Sequence, residues 1–334
     1  MIEAMTSLFF LQPDHLKLFV TGGSGFIGAA ITQRLAGLGH EVVVFDGCEH
    51  LPANAQPSHR RYLELRYATL GGAEVIRGDL RDASQIREAM LQYRPEIVIH
   101  LAAIAVATTA NKDSRGAIEH TVLGTANLLE AVKEAGSVKR VVYCSSSMVY
   151  GDFQQTPCPE DHPLNPKEVY GGTKLTGEIL TRVYGQRFGF EHAVVRPSAV
   201  YGPTDVNGRI VQLFIERAMQ GQELVLHGGG TDRLDFSYVK DVAEGFVLAA
   251  LHPDAAGETF NITRGEGRSL LELAEILRRH FPDLKTIVGE ADLKRPTRGA
   301  LDISKARRLL GYDPKYSLEE GVAEYVHFVR EHSL

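Results

Sequence analysis

The chain has 334 residues, 44% of them hydrophobic, enough for one large domain or two modest ones with a sizeable core. Its net charge of −6 and the absence of any Lys/Arg run longer than two argue against a nucleic-acid surface, and no apolar run approaches the roughly 20 residues of a membrane span. The three cysteines, Cys48, Cys144 and Cys158, lack C-x-x-C spacing, so neither a disulfide framework nor a metal site is expected, and free thiols fit a reducing, cytoplasmic setting.

Met1 to Pro13 holds Leu8-Phe9-Phe10-Leu11 but no basic segment before it, and reads as an irregular lead-in rather than a signal peptide. The apolar run Leu16 to Val20 then meets Thr21-Gly22-Gly23-Ser24-Gly25-Phe26-Ile27-Gly28, which opens a helical pattern through Leu35. Strand, glycine turn and helix in that order make a dinucleotide site. Gly22 serves the tight turn, Gly25 the approach of a pyrophosphate to amides at the positive end of the helix, and Gly28 the packing of helix on strand. The spacing is G-x-x-G-x-x-G, and a glycine-rich loop without a ligand is the alternative. Glu41 to Phe45 reads as a second buried strand ending at Asp46. A carboxylate there, about 20 residues on, would accept from an adenosine ribose 2′-hydroxyl and repel a 2′-phosphate, which selects NAD over NADP. An ordinary strand-end aspartate is the competing reading.

Pro52 to Gly72 reads as a loop with a polar insert of helical potential, and Glu74 to Leu80 as a third strand and turn. Ala83 to Tyr93 is helical by apolar period. Glu96 to Leu101 is a strand whose His100 reads as a packed core histidine, followed by Ala102 and Ala103, small enough to leave room for a cofactor. Gly116 to Ala135 is predicted as one helix, Arg140 to Ser145 as a strand ending in Ser145-Ser146-Ser147-Met148-Val149-Tyr150-Gly151, and Pro157 to Pro166 as a loop. Glu168 to Phe188 is a helix that starts with Tyr170-Gly171-Gly172-Thr173-Lys174. His192 to Val195 is a strand closed by Arg196-Pro197-Ser198. Beyond Gly202 strands shorten and glycines and prolines increase. Ile210–Gln220 reads as an amphipathic segment, Leu224–Leu226 as a short strand, Ser269–His280 and Ser304–Leu310 as helices, and Leu318–Arg330 closes the chain. Valine- and isoleucine-rich strands alternating with helices predict an α/β fold, a doubly wound parallel sheet of Rossmann type with a smaller C-terminal substrate lobe. The expected division is 15–200 for the dinucleotide domain and 201–334 for the lobe, with 236–252 returning to the first.

The glycine turn, the serine cluster and the Tyr-x-x-x-Lys pair together resemble the extended short-chain dehydrogenase/reductases, in particular the NAD-dependent nucleotide-sugar epimerase/dehydratase family, from about Lys17 to about Arg330. Tyr170 and Lys174 stand one helical turn apart and face the same way. A phenol with pKa near 10 becomes a base at neutral pH only with help, here expected from the lysine cation and the positive nicotinamide ring. The resemblance implies that Tyr170 takes a proton from a sugar hydroxyl while hydride leaves the same carbon for bound NAD, and that the hydride returns to the other face. It assigns the partner hydroxyl to Ser146, three residues before Val149. It further implies cofactor contacts at Gly22, Gly25, Phe26, Ile27, Gly28, Asp46, Asp79, Leu80, Ala102, Ala103, Tyr170, Lys174 and Pro197. Substrate contacts are implied at Ser146, Ser147, Ser198, Arg209, Leu226, His227, Arg233 and Arg298.

Three departures from the family pattern bear on the reaction and the substrate. The 4,6-dehydratases carry Asp-Glu after the catalytic Ser/Thr, where this chain has Ser147-Met148, and methionine cannot transfer a proton. Ala199 stands near a usual asparagine, and Leu234 where an arginine is common; Arg233, Arg209, Arg295 and Arg298 are the arginines available to hold a diphosphate. Thr121 replaces a usual asparagine. The expected activity is epimerisation of a nucleotide sugar, at C4 of a UDP-sugar, with an oxidoreductase, dehydratase or decarboxylase of the same family, or a non-catalytic binding protein, as alternatives. The resemblance also implies a homodimer through a four-helix interface made by the helices near 116–135 and 170.

Overall fold

The computed structural model describes residues 15–48, 51, 55–291 and 295–332; the lead-in Met1 to Pro13 lies outside them. One sheet of seven parallel strands organises the molecule: β1 (Lys17–Thr21), β2 (Glu41–Asp46), β3 (Glu74–Arg77), β4 (Ile97–His100), β5 (Arg140–Cys144), β6 (Glu191–Arg196) and β7 (Thr259–Asn261). They lie in the order β3-β2-β1-β4-β5-β6-β7, so the winding reverses between β1 and β4.

Alternate residues of each strand serve opposite faces, which is why the strands are apolar throughout. Leu18, Val20, Val42, Val44, Ile97 and Ile99 pack on one side with Ile31 and Leu35 of α1 (Phe26–Gly37). Phe19, Val43, Phe45, Val98 and Val141 pack on the other with Ile86 and Met90 of the helix Ala83–Tyr93 and with Leu128, Leu129 and Val132 of Gly124–Ala135. The Ala83–Tyr93 helix starts at Asp82, whose carboxylate accepts from the Ser84 amide at 3.0 Å. The stretch expected as one helix from Gly116 instead contains a π-helical segment, Ile118–Leu123, ahead of Gly124–Ala135.

The chain crosses between the two cores at more places than the expected return of 236–252. The helix Val239–Leu251 sends Val242 and Phe246 into the sheet core, and Thr259–Asn261 pairs with β6 as the seventh strand. Three residues are too few to show a strand period, which is why β7 escapes a reading of the sequence. In the opposite direction, α2 (Pro57–Ala68) springs from the insert after β2 yet places Tyr62 and Leu63 in the second core. That core is built from Phe214, Ile215, Leu273, Leu277, Val322 and Val326, under three short strand pairs. Glu216 meets His59 of α2 at 2.8 Å in a buried contact, and Tyr62 packs at a tilt against Phe328 with ring centroids 5.2 Å apart.

One polar network pins three strand ends to the helix α3 (Val169–Phe188). Glu178 of α3 accepts two hydrogen bonds from Arg196 at the end of β6, at 2.8 and 2.7 Å, and both side chains are under 10% exposed. Ser145, just past β5, also donates to Glu178. Arg196 donates to the Tyr150 hydroxyl at 2.9 Å, which donates onward to Asn261 of β7 at 2.7 Å. Glu178 lies four and eight residues after Lys174 and Tyr170, so all three share one helix face. Removing one member of a buried pair strands the other, a cost of about 3–5 kcal/mol. Glu178→Gln is therefore expected to lower the unfolding free energy by about that much in chemical denaturation, and Glu178→Met with Arg196→Met by less. A loss under about 1 kcal/mol for Glu178→Gln would show that the pair does not brace the fold.

Candidate active site

A cavity of about 860 Å³ opens over the carboxyl ends of the central strands, between the sheet and the second core. Strand reversal between β1 and β4 leaves a crevice there, the usual ligand position in an open parallel sheet. The glycine turn forms its floor. Gly22 has φ +71°, and a Cβ on it would lie 2.8 Å from the Ala102 amide nitrogen. A Cβ on Gly28 would lie 2.1 Å from the Gly22 carbonyl oxygen. The expected packing of helix on strand at Gly28 is thus a packing of helix on the glycine turn itself. α1 begins at Gly25 with no side-chain cap, so its first-turn amides remain available to an anion at the positive end of the helix.

Asp46 ends β2 at 5% exposure and lines the cavity. Its two oxygens accept from the Ser24 amide at 3.0 Å and the Cys48 amide at 2.8 Å, which fixes the carboxylate against the turn. Phe26, Ile27, Leu80, Ala102, Ala103 and Pro197 also line the cavity. So does Asp79, whose carboxylate is held by the Arg81 guanidinium. Glycines that admit no Cβ, uncapped amides and a strand-end carboxylate together fit a dinucleotide.

Ser146, Tyr170 and Lys174 lie on the same cavity wall. The Lys174 ammonium donates to the Cys144 carbonyl at 2.8 Å, which locks it to the end of β5. Burial pushes the Tyr170 phenol up to about 12, while the Arg209 cation and a hydrogen bond with Ser146 draw it down. Burial also lowers the pKa of Lys174 itself. Ser146 is held in turn by the Met148 amide, which donates to its hydroxyl at 3.2 Å. His100, expected in the core, is buried there. Its ring bonds the hydroxyls of Thr21 at 2.6 Å and Thr125 at 2.9 Å, and burial drives its pKa to about 3.

Of the expected substrate residues, Ser146, Ser147, Arg209 and Arg298 line the cavity, and Leu234 and Ala199 face it too. Four do not. Ser198 is buried outside the lining, and Leu226 fills the second core. His227 is turned to the Glu290 carbonyl at 2.9 Å. Arg233 donates to the Gly267 carbonyl at 2.7 Å and pairs with Glu272, so it does not shift over to replace the missing arginine at Leu234. Arg298 lines the cavity with its Nε enclosed and unbonded, and burial lowers its pKa to about 10 against the pull of Glu168. Residues that a reading of the sequence passed over are Glu168, whose Oε2 is buried without a partner, Arg66, and the bracing pair Glu178–Arg196. The spacing Tyr170, Lys174, Glu178 at four-residue steps was the available signal for the last of these.

A model of the NAD dependent epimerase/dehydratase family matches residues 18–263. UDP-glucose 4-epimerase of Mycolicibacterium smegmatis is 31% identical over 332 residues, covering 95% of this chain and all of that one. The crystal structure of UDP-glucose 4-epimerase from Thermotoga maritima with UDP-glucose superposes with a TM-score of 0.85 at 28% identity, covering 96% of this chain and 100% of that one. UDP-glucuronic acid 4-epimerase from Bacillus cereus, in complex with UDP-glucuronic acid and NAD, gives 0.85 at 28% identity, over 95% and 99% of the two chains. This chain belongs to the NAD dependent epimerase/dehydratase family and is an enzyme with NAD as its cofactor.

Proposed function

We propose that the enzyme epimerises a nucleotide sugar, a UDP-sugar, at C4, with Tyr170 as its proton-transfer group. The observation that carries this reading is the meeting of Ser146, Tyr170 and Lys174 with the dinucleotide cradle in one cavity, with Met148 at the position where the 4,6-dehydratases carry a glutamate. Elimination of water needs an acid or base at the neighbouring carbon, and a thioether offers none.

When bound, NAD supplies the two-electron acceptor and donor and a positive ring that favours the phenolate of Tyr170. Tyr170 takes the C4 hydroxyl proton at Oη and returns it when C4 is reduced again. The Ser146 hydroxyl bonds the same sugar oxygen as its charge changes. Arg209 adds a cation that favours the charged phenol. Lys174, fixed on the Cys144 carbonyl, holds the helix face that aims Tyr170. Arg298 and Arg209 hold the substrate diphosphate, since a guanidinium matches phosphate geometry. The sugar must turn between its two encounters with the cofactor, so the grip falls on the nucleotide and the sugar is held loosely.

Two neighbouring helical segments leave an apolar stripe in solvent. Ile118 and Leu123 are 51% and 45% exposed, and Ile179 and Val183 of α3 are 44% and 48% exposed. We read this stripe as the interface of a homodimer, in which the two segments meet their symmetry mates across a two-fold axis. A cytoplasmic setting fits the free Cys48, Cys144 and Cys158. Among the described residues no helix is long and apolar enough to cross a membrane.

Tyr170→Phe is expected to reduce turnover by more than the roughly 10²–10⁴-fold of general-base catalysis while NAD affinity on stripped protein stays near wild type. Retention of a tenth of the rate would remove Tyr170 from the chemistry. A UDP-hexose deuterated at C4, supplied without added NAD, is expected to epimerise with the label kept at C4. Label in released NADH would identify a net oxidoreductase, and loss of carbon dioxide from a UDP-uronic acid a decarboxylase. Val183→Glu is expected to halve the mass measured by light scattering at micromolar concentration; a wild-type mass already that of one chain would refute the dimer.

A further inference from the structure

Helix α2 brings Arg66 to the cavity, where its side chain has no assigned task. Arg66 is 2% exposed, although it lines the cavity. One terminal nitrogen donates to the Thr204 carbonyl at 2.8 Å, whereas Nε is enclosed and bonds nothing. A buried guanidinium with an open N–H is costly unless an anion completes it. Asp205 lies within electrostatic reach. Its Oδ1, however, is committed to Arg209 at 2.9 Å and to Asn207 at 2.9 and 3.1 Å, and its Oδ2 makes no hydrogen bond.

Two contacts locate the anion that fits. α2 packs against α1, the helix that opens at the glycine turn, which sets Arg66 on that side of the cavity. Arg209, joined to the same Asp205, lies 5.4 Å from the ring centre of Phe26, the first residue of α1. Arg66 and Arg209 bring two guanidinium groups to the cavity, offset in charge by Asp205 and Asp46, and the Nε of Arg66 remains the donor without an acceptor. Thr204 supports the arrangement in a left-handed conformation, φ +69°, that a β-branched residue rarely adopts. The helix is also rigidly seated, through the His59–Glu216 contact and a capping box between Gln56 and His59.

We propose that Arg66 is a cofactor-binding residue, its guanidinium gripping the pyrophosphate of NAD from the side opposite the glycine turn. Because α2 is rooted in the second core, the contact also ties cofactor occupancy to the seating of the substrate lobe.

The test uses the full chain, stripped of nucleotide, as wild type, Arg66→Met and Arg66→Lys, titrated with NAD, ADP-ribose and UDP. Loss of hydrogen bonds to a charged group predicts that Arg66→Met weakens NAD and ADP-ribose alike by about 10- to 100-fold, with UDP unchanged. Arg66→Lys should recover part of that loss, since it keeps the charge without the planar fork. The stripped Met variant should melt near the wild-type temperature, with a smaller rise on adding NAD. Unchanged ADP-ribose affinity in Arg66→Met overturns the proposal. Weakening confined to UDP also overturns it, moving the arginine to the substrate diphosphate. If the Met variant does not fold, Arg66→Lys decides: weaker ADP-ribose binding supports the proposal and wild-type binding refutes it.

Discussion

The site depends on a buried ion pair that lies outside the cavity lining. Glu178 and Arg196 lock the face of α3 carrying Tyr170 and Lys174 onto the ends of β5 and β6, and through Tyr150 and Asn261 onto β7. A charged pair under 10% exposed is not an economical source of stability, because desolvation offsets most of its Coulombic gain. Its value lies in direction. The bidentate bonds leave α3 one rotation and one depth against the sheet, which the proposed meeting of Tyr170 with a sugar hydroxyl and Ser146 requires. Apolar packing alone would tolerate small slides of the helix.

Electrostatically, the cavity holds the phenol neutral and arranges the means to ionise it. Burial raises the Tyr170 pKa, so the polypeptide by itself disfavours a standing phenolate. Arg209 and Ser146 pull in the other direction, and the positive ring of NAD completes the balance. In the proposed mechanism, proton transfer is thus linked to cofactor occupancy. Tyr170 stands on α3 and Arg209 comes from the region that follows the sheet domain, so the two cores must be seated together for the phenol to be tuned.

Much of this was legible in the sequence, for a physical reason. The glycine turn, Asp46 and the Tyr-x-x-x-Lys pair are short-range patterns whose meaning is set by one turn or one helix, and the long apolar strands announce a parallel sheet. What escaped depends on distant partners. Thr259–Asn261 is too short to carry a period and becomes a strand only because β6 offers an edge. Arg66 sits in a polar stretch whose helix is stabilised by tertiary contact with Glu216 and Phe328. Arg233, one residue from the position usual for a diphosphate-binding arginine, is drawn to Gly267 by the pairing of Arg233–Asp235 with Gly267–Ser269, a register that the sequence does not display. The family comparison carries the local motifs well and these long-range placements poorly.

The late arrival of β7 has a consequence during synthesis. Strands β1 to β6 are complete once Arg196 has been made, but the partner for the outer edge of β6 follows 65 residues later, at Asn261. At ribosomal rates that interval is roughly 3–13 s. Throughout it the nascent sheet presents an unpaired edge carrying Ala193, Val194 and Val195, a template onto which another chain can add a strand. Arg196, at the end of that edge, also waits for the Asn261 end of its network. The intervening segment, which builds much of the second core, therefore emerges while the first core is still open on one side, and chaperone demand during expression should concentrate in that window.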